Sequence, residues 1–153
     1  MGAPTLASQP INPGGNQRAL NVTAIGAIKQ GSQGAAVSGT LMRIIPQAPG
    51  SAGSLVLSDI NPLAYNANTA YVAGQPVLYS STLYFCILAS TGNLPTNGTY
   101  FNTTPPASSI IVSLLYSAMT ASVPIFLEFP FTNGLWVSAV PSAGSPGVNI
   151  SYF

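Results

Sequence analysis

Six side chains hold most of the reactive chemistry in this 153-residue sequence: Arg18, Lys29, Arg43, Asp59, Glu128 and Cys86, with no histidine anywhere. Glycoside hydrolysis by paired carboxylates would have to use Asp59 and Glu128, the only two, held close together. Asp59 stands at the start of Asp59-Ile60-Asn61-Pro62, a turn in which a carboxylate commonly caps backbone donors. Glu128 lies between Leu127 and Phe129, where a strand would turn it outward or pair it with Arg18 or Arg43. Cys86 sits in the apolar run Tyr84-Phe85-Cys86-Ile87-Leu88 without a nearby cation. A reactive thiol needs such a neighbour and exposure, so a buried, inert thiol is expected. A Ser-His-Asp or Cys-His nucleophile, a histidine metal site and a four-cysteine zinc site cannot be built. Three cations also fall short of the roughly 6–10 phosphate contacts of a substantial nucleic-acid footprint. The expectation is a non-enzymatic protein with no catalytic residues, no metal and no cofactor, and with no nucleic-acid partner.

The composition narrows the class further. Hydrophobic residues make up 47% and charged residues 3% of the chain, against roughly 25% charged in an ordinary soluble protein. The polar surface must therefore come from the 18 Ser, 12 Thr and 11 Asn residues. A net charge of +1 gives almost no repulsion between copies, which favours association. A homo-oligomer or larger assembly is expected. The start, from Met1 to Pro10, has neither a basic segment nor an apolar run and does not read as a secretory signal. A single cysteine excludes an internal disulfide. Both fit a chain made in a cytoplasm. The sequons at Asn21, Asn97, Asn102 and Asn149 read as composition rather than glycosylation. The strongest membrane-span candidate, Ser109 to Leu127, is interrupted by five Ser/Thr residues and Pro124, and no Lys or Arg follows Arg43. No membrane partner is expected.

The elements that must position these groups are strands. Leu20 to Ile25 and Val148 to Phe153 alternate with period two, as half-buried strands do. Further short apolar runs cover Leu41 to Ile45, Ser54 to Leu57, Gln75 to Tyr79, Leu83 to Leu88, Ser109 to Tyr116, Val123 to Phe129 and Leu135 to Val140. Gly, Pro and Asn separate them. Asn133-Gly134 has the residues of a hairpin turn, both tolerant of positive φ. No stretch of 12 residues carries a helical period. Nine short strands with frequent turns predict an all-β, antiparallel β-sandwich, jelly-roll or immunoglobulin-like. Three zones follow: an extended N-terminal arm over residues 1–17, a sandwich made of 18–61 plus 107–153, and an inserted subdomain over 62–106. The insert is bracketed by Asn61-Pro62 and Pro105-Pro106, and it holds seven of the fourteen aromatics.

Within that insert, Tyr65, then Tyr71-Val72-Ala73-Gly74-Gln75-Pro76-Val77, Tyr79, Leu83-Tyr84, Gly92-Asn93-Leu94-Pro95 and Tyr100-Phe101 resemble the small chitinase-type carbohydrate-binding modules of families five and twelve. The likeness covers about 40 residues. It implies a hairpin with its tip at Tyr79 to Thr82, an insert core of Tyr71, Gly74, Val77 and Tyr84, and glycan-stacking aromatics at Tyr65, Tyr79, Tyr100 and Phe101. The family usually has Trp at its first and last aromatic positions, where Tyr65 and Phe101 (or Tyr100) stand here. In so short a module most aromatics must also serve as core.

The enclosing part also resembles a known group. Phe131-Thr132-Asn133-Gly134-Leu135-Trp136-Val137 and the terminal Gly147-Val148-Asn149-Ile150-Ser151-Tyr152 are similar to small β-sandwich proteins of tailed-bacteriophage virions. That resemblance implies a virion structural protein, foremost a capsid decoration (cement) protein on the outer particle surface, made in the host cytoplasm. Its partners would be the major capsid protein or other virion proteins, with the insert projecting outward toward a host-surface glycan. A free glycan-binding module, or a neck, tail or fibre component, is the alternative. Trp136, beside Asn133-Gly134, is expected to anchor the core or an interface.

Overall fold

The structure, a computed structural model, describes residues 18–32, 35–47, 53–140 and 147–153. The expected N-terminal arm, 1–17, lies outside them. Among the described residues, twelve strands form three four-stranded sheets. Eight belong to the sandwich: β1 (Arg18–Val22), β2 (Gly26–Lys29), β3 (Gly39–Pro46), β4 (Ser54–Asp59), β9 (Ile110–Leu115), β10 (Ile125–Phe131), β11 (Leu135–Ala139) and β12 (Val148–Tyr152). Four build the insert: β5 (Leu63–Ala64), β6 (Pro76–Tyr79), β7 (Thr82–Cys86) and β8 (Phe101–Asn102).

The sandwich pairs its two halves in order: β1 with β12, β2 with β11, β3 with β10 and β4 with β9, all antiparallel. Three of the pairs keep nearly one register, with Arg18 opposite Tyr152, Arg43 opposite Phe126 and Leu57 opposite Val112. β2 and β11 are offset from it, Trp136 lying opposite Ala27. Successive pairs fall in alternate sheets, giving orders β1-β12-β3-β10 and β2-β11-β4-β9. A long antiparallel ribbon wrapped in this way is a jelly roll. The chain is thus the all-β sandwich its alternation predicts, and the insert occupies the tip of the ribbon between β4 and β9.

Period two explains what is buried. Leu55, Leu57, Leu135 and Val137 point inward from one sheet and meet Leu41, Ile44, Phe131, Val148, Ile150 and Tyr152 from the other. Several of these are completely buried, and each side chain so buried contributes roughly 1.5–3 kcal/mol. The expected continuous strand from Leu20 to Ile25 divides at residues 23–25, where the chain crosses from one sheet to the other. The apolar stretch from Ser109 to Leu127 is β9, a short 3-10 turn at Tyr116–Ala118 and the first half of β10. No helix among the described residues is long and apolar enough to cross a membrane.

Asn133-Gly134 is not a hairpin turn, because β10 and β11 lie in different sheets. Neither residue has positive φ. Glycine is needed here for space: a Cβ on Gly134 would stand 2.7 Å from the Ile60 carbonyl oxygen and 3.0 Å from that of Lys29. The hairpin tip at Tyr79 to Thr82 does form, with Ser80 and Ser81 both at positive φ, 48° and 63°. That pair of left-handed residues matches the right-handed twist of the flanking strands.

Candidate functional site

The insert is a two-faced layer, and the alternation of β7 sets the two faces. Tyr84 and Cys86 turn to one side with Tyr71, Val77 and Phe101. Leu83 and Phe85 turn to the other side and pack with Ile60 and Trp136. Trp136 leaves β11 on the face opposite Leu135 and Val137, so it points out of the sandwich core and into the insert. It is 4% exposed. The insert therefore lies back on the sandwich through the Trp136–Phe85–Leu83 cluster rather than projecting from it as a free module.

The aromatic side of the insert is a connected series of rings. Tyr65 stacks on Tyr71 at 5.8 Å and 17° and meets Tyr79 edge-on at 5.5 Å. Tyr71 meets Phe101 edge-on at 5.8 Å. The Tyr71 hydroxyl accepts from the Asn66 backbone N–H at 2.7 Å and donates to the Asn66 carbonyl, which ties down the loop between Tyr65 and Tyr71. Gly74, at φ +88°, turns the chain into β6, and its N–H donates to the Cys86 carbonyl at 2.7 Å. Val77 is fully buried and Tyr84 half-buried.

Of the residues expected to stack on sugar, Tyr65, Tyr79 and Tyr100 are half-buried. Phe101 is 1% exposed and cannot offer a ring face to a ligand. Its strand pairs with β7 opposite Cys86, which drives the ring inward against Tyr71. Tyr65 has one face covered by Tyr71, and its buried hydroxyl has no hydrogen-bond partner among the described residues. The large apolar side chains that the insert does expose are aliphatic: Val72, Ile87, Leu88 and Leu94. Sequence reasoning centres on the aromatics and misses this set, for which single apolar residues in loops give no periodic signal.

Asp59 is wholly engaged in structure. Its Oδ2 accepts from the Thr132 N–H at 2.9 Å and from the Thr132 hydroxyl at 3.0 Å. Its Oδ1 accepts from the N–H groups of Asn133 at 2.6 Å and Gly134 at 3.1 Å. Partial burial pushes its pKa up, but the backbone donors of Thr132, Asn133 and Gly134 and the Thr132 hydroxyl outweigh that and hold it below the ordinary 3.8. The carboxylate caps backbone donors, as a turn aspartate does, but they belong to a segment more than 70 residues away rather than to its own turn. Glu128 is exposed on β10, on a different sheet from Asp59. Lys29 donates to the Ser38 carbonyl at 2.8 Å and lies 5.5 Å from the Phe131 ring centroid. Arg43 reaches the Ser151 hydroxyl at 3.5 Å.

Cys86 is buried, donates to the Leu88 carbonyl at 3.2 Å, and has its pKa raised above 9.0 by desolvation. A cleft of about 320 Å³ runs along the junction, between Asp59, Asn61 and Asn133 of the sandwich, Gly74 and Pro76 of the insert, and Ser108 on the returning segment. Its lining is neutral apart from the Asp59 carboxylate already saturated by the 132–134 segment. No cluster of three or more metal-ligating side chains occurs among the described residues.

Among the described residues of the sandwich, the most exposed large apolar side chain is Phe126, at 73%, with Phe129 at 43% on the same strand. Among the described residues β10 is an edge strand, and Pro130 and Glu128 are its residues of the kinds that blunt an edge. The described residues define a jelly-roll protein of eight strands with a four-stranded sheet inserted at the tip of its ribbon. Comparison with family models, with curated proteins and with solved structures finds no match to the chain.

Proposed function

We propose that the chain is a non-enzymatic structural protein of a bacteriophage virion, a capsid decoration protein on the outer surface of the particle, bound to the major capsid protein and to copies of itself. The observation that carries this reading is the exposed edge strand β10, with Phe126 and Phe129 open to solvent in a chain that is 3% charged. Exposed apolar groups on an edge strand favour a permanent partner over life as a free monomer. Contacts made by such a surface rest on apolar burial, at roughly 25 cal/mol per Å², and not on ion pairs. The jelly-roll architecture, which viral capsid and lectin domains share, supports the reading by analogy of fold alone. The engagement of Asp59 by the 132–134 segment and the position of Glu128 on the other sheet support a structural role over paired-carboxylate chemistry.

The deciding experiment is quantitative mass spectrometry of purified particles, counting copies of this chain. Hundreds per particle are expected. A dozen or fewer would place it instead in the neck, tail or a fibre, and absence would overturn the virion reading. Attachment should also survive moderate salt, since few charges exist to be screened. Glycan binding by the insert is the second reading, favoured by the partly exposed rings of Tyr65, Tyr79 and Tyr100. Its test is retention on insoluble polysaccharide, lost in Tyr79→Ala.

A further inference from the structure

The tripeptide Thr-Asn-Gly occurs twice, at Thr96-Asn97-Gly98 and at Thr132-Asn133-Gly134. Asn-Gly is the dipeptide most open to spontaneous deamidation, because glycine leaves its own backbone nitrogen unshielded and the chain free to bend. That nitrogen loses its proton to solvent base and attacks the asparagine Cγ. A C–N bond forms, the side-chain amide nitrogen departs as ammonia, and water then opens the succinimide to aspartate or isoaspartate. Identical local sequence gives the two sites the same intrinsic reactivity, so any difference between them is set by the fold.

The fold treats their two glycine nitrogens oppositely. At the second site the nucleophile is blocked: the Gly134 N–H is donated to Asp59 Oδ1 at 3.1 Å. Deprotonating it would discard a hydrogen bond to a carboxylate and place two negative groups together. Asn133 is held at both ends as well, its N–H by Asp59 at 2.6 Å and its carbonyl by the Val37 N–H at 3.1 Å. Gly134 is buried, and its surroundings leave no room for a Cβ. At the first site, Asn97 and Gly98 are exposed, and a Cβ on Gly98 would meet nothing within 4 Å. Asn97 is itself held, its N–H by the Leu94 carbonyl at 2.9 Å, its Oδ1 by the Thr99 N–H at 3.0 Å and its carbonyl by the Tyr100 and Phe101 N–H groups at 3.0 Å. The sites therefore differ in exposure and at the glycine nitrogen rather than in the restraint of the asparagine. Among the described residues the Gly98 N–H has no acceptor.

We infer that Asn97 is a site of spontaneous deamidation and that Asp59 protects Asn133 from the same reaction. The product matters in this chain because it adds a third acidic group to a protein with two, and takes the net charge from +1 to zero. An isoaspartate would also lengthen the backbone inside the 97–101 turn that leads into β8.

The test is peptide mapping by mass spectrometry of the full chain incubated in mildly alkaline buffer, folded and in denaturant. In denaturant both sites should convert at similar rates. In the folded protein Asn97 should convert faster than Asn133 by about tenfold or more, the scale of one hydrogen bond to a charged group. Gly98→Ala should slow the first site without affecting the second. Asp59→Asn, provided its circular dichroism stays native, should raise the Asn133 rate toward that of Asn97. Conversion of Asn133 as fast as Asn97 in the folded wild type would overturn the inference. So would the absence of conversion at Asn97 while the denatured chain reacts.

Discussion

Asp59 and Asn133, 74 positions apart, are joined by a 2.6 Å hydrogen bond from the Asn133 backbone N–H to the Asp59 carboxylate. This contact, with its companions to Thr132 and Gly134, fixes the end of β4 to the crossing between the two sheets. Asp59→Ala should therefore destabilise the protein by about 2–3 kcal/mol, the value of removing a multiply bonded carboxylate whose donors are left partly unpaired. Asp59→Asn should cost less, because its amide keeps one acceptor oxygen. Urea denaturation of the three proteins checks the order, and equal midpoints would contradict the clamp.

The same clamp sets the acid limb of the stability curve. A carboxyl whose pKa is lower in the folded than in the unfolded chain binds more protons when unfolded, so it stabilises the fold at neutral pH. For Asp59 that contribution is complete above the ordinary value of 3.8 and is lost as the pH falls through the lower folded value. Cys86 acts at the other end. Burial raises its pKa above 9.0, so the unfolded chain ionises first and stability declines as the pH climbs past that value. Without histidine, nothing titrates by side chain in the middle of the range. Thermal melts should give a plateau across neutral pH with a fall at each end. Asp59→Asn should flatten the acid fall and Cys86→Ser the alkaline one.

Trp136 is the sole tryptophan and is buried against Phe85 and Leu83 of the insert. Its fluorescence reports on the docking of insert to sandwich. Phe85→Ala should shift the emission to longer wavelength and cost about 3–5 kcal/mol, the usual range for emptying a buried aromatic site. Ile150→Ala, in the sandwich core, should destabilise by a comparable few kcal/mol while leaving the native-state emission unchanged. A red shift in both, or in neither, would contradict the placement of Trp136 at the junction.

These relationships mark where the sequence is readable. Period two locates the strands because inward residues such as Leu55, Leu57, Leu135 and Val137 meet one continuous core. The inserted sheet runs from Leu63 to Asn102, between the changes of composition at Asn61-Pro62 and at Pro105-Pro106. Three things are not legible. A strand that crosses between sheets at residues 23–25 keeps its alternation, so one run reads as one strand. Two-residue strands such as β5 and β8 are too short to carry a period at all. Asn133-Gly134 has hairpin chemistry, yet its glycine answers to the carbonyls of Ile60 and Lys29 rather than to a turn. Phe101 defeats the aromatic reading because of its short strand. Its pairing with Cys86 turns it inward, and no local pattern records which face of a two-residue strand is covered.

The edge strand β10 supplies the remaining prediction. Phe126 lies opposite Arg43 on β3 and is 73% exposed, so it adds little to the stability of one copy. Phe126→Lys should leave the unfolding free energy unchanged to within about 0.5 kcal/mol, as surface substitutions generally do. It should, however, weaken self-association or particle attachment strongly, because a charge would be buried without a partner and the free edge blunted. Sedimentation of the purified chain and binding to particles stripped of it separate the two effects. Glu128→Gln on the same strand should spare attachment, since nothing in the proposed contact rests on its charge. A Phe126→Lys protein that still attaches at wild-type levels would move the contact elsewhere. The aliphatic group of Val72, Ile87, Leu88 and Leu94 on the insert would then be the surface to change next.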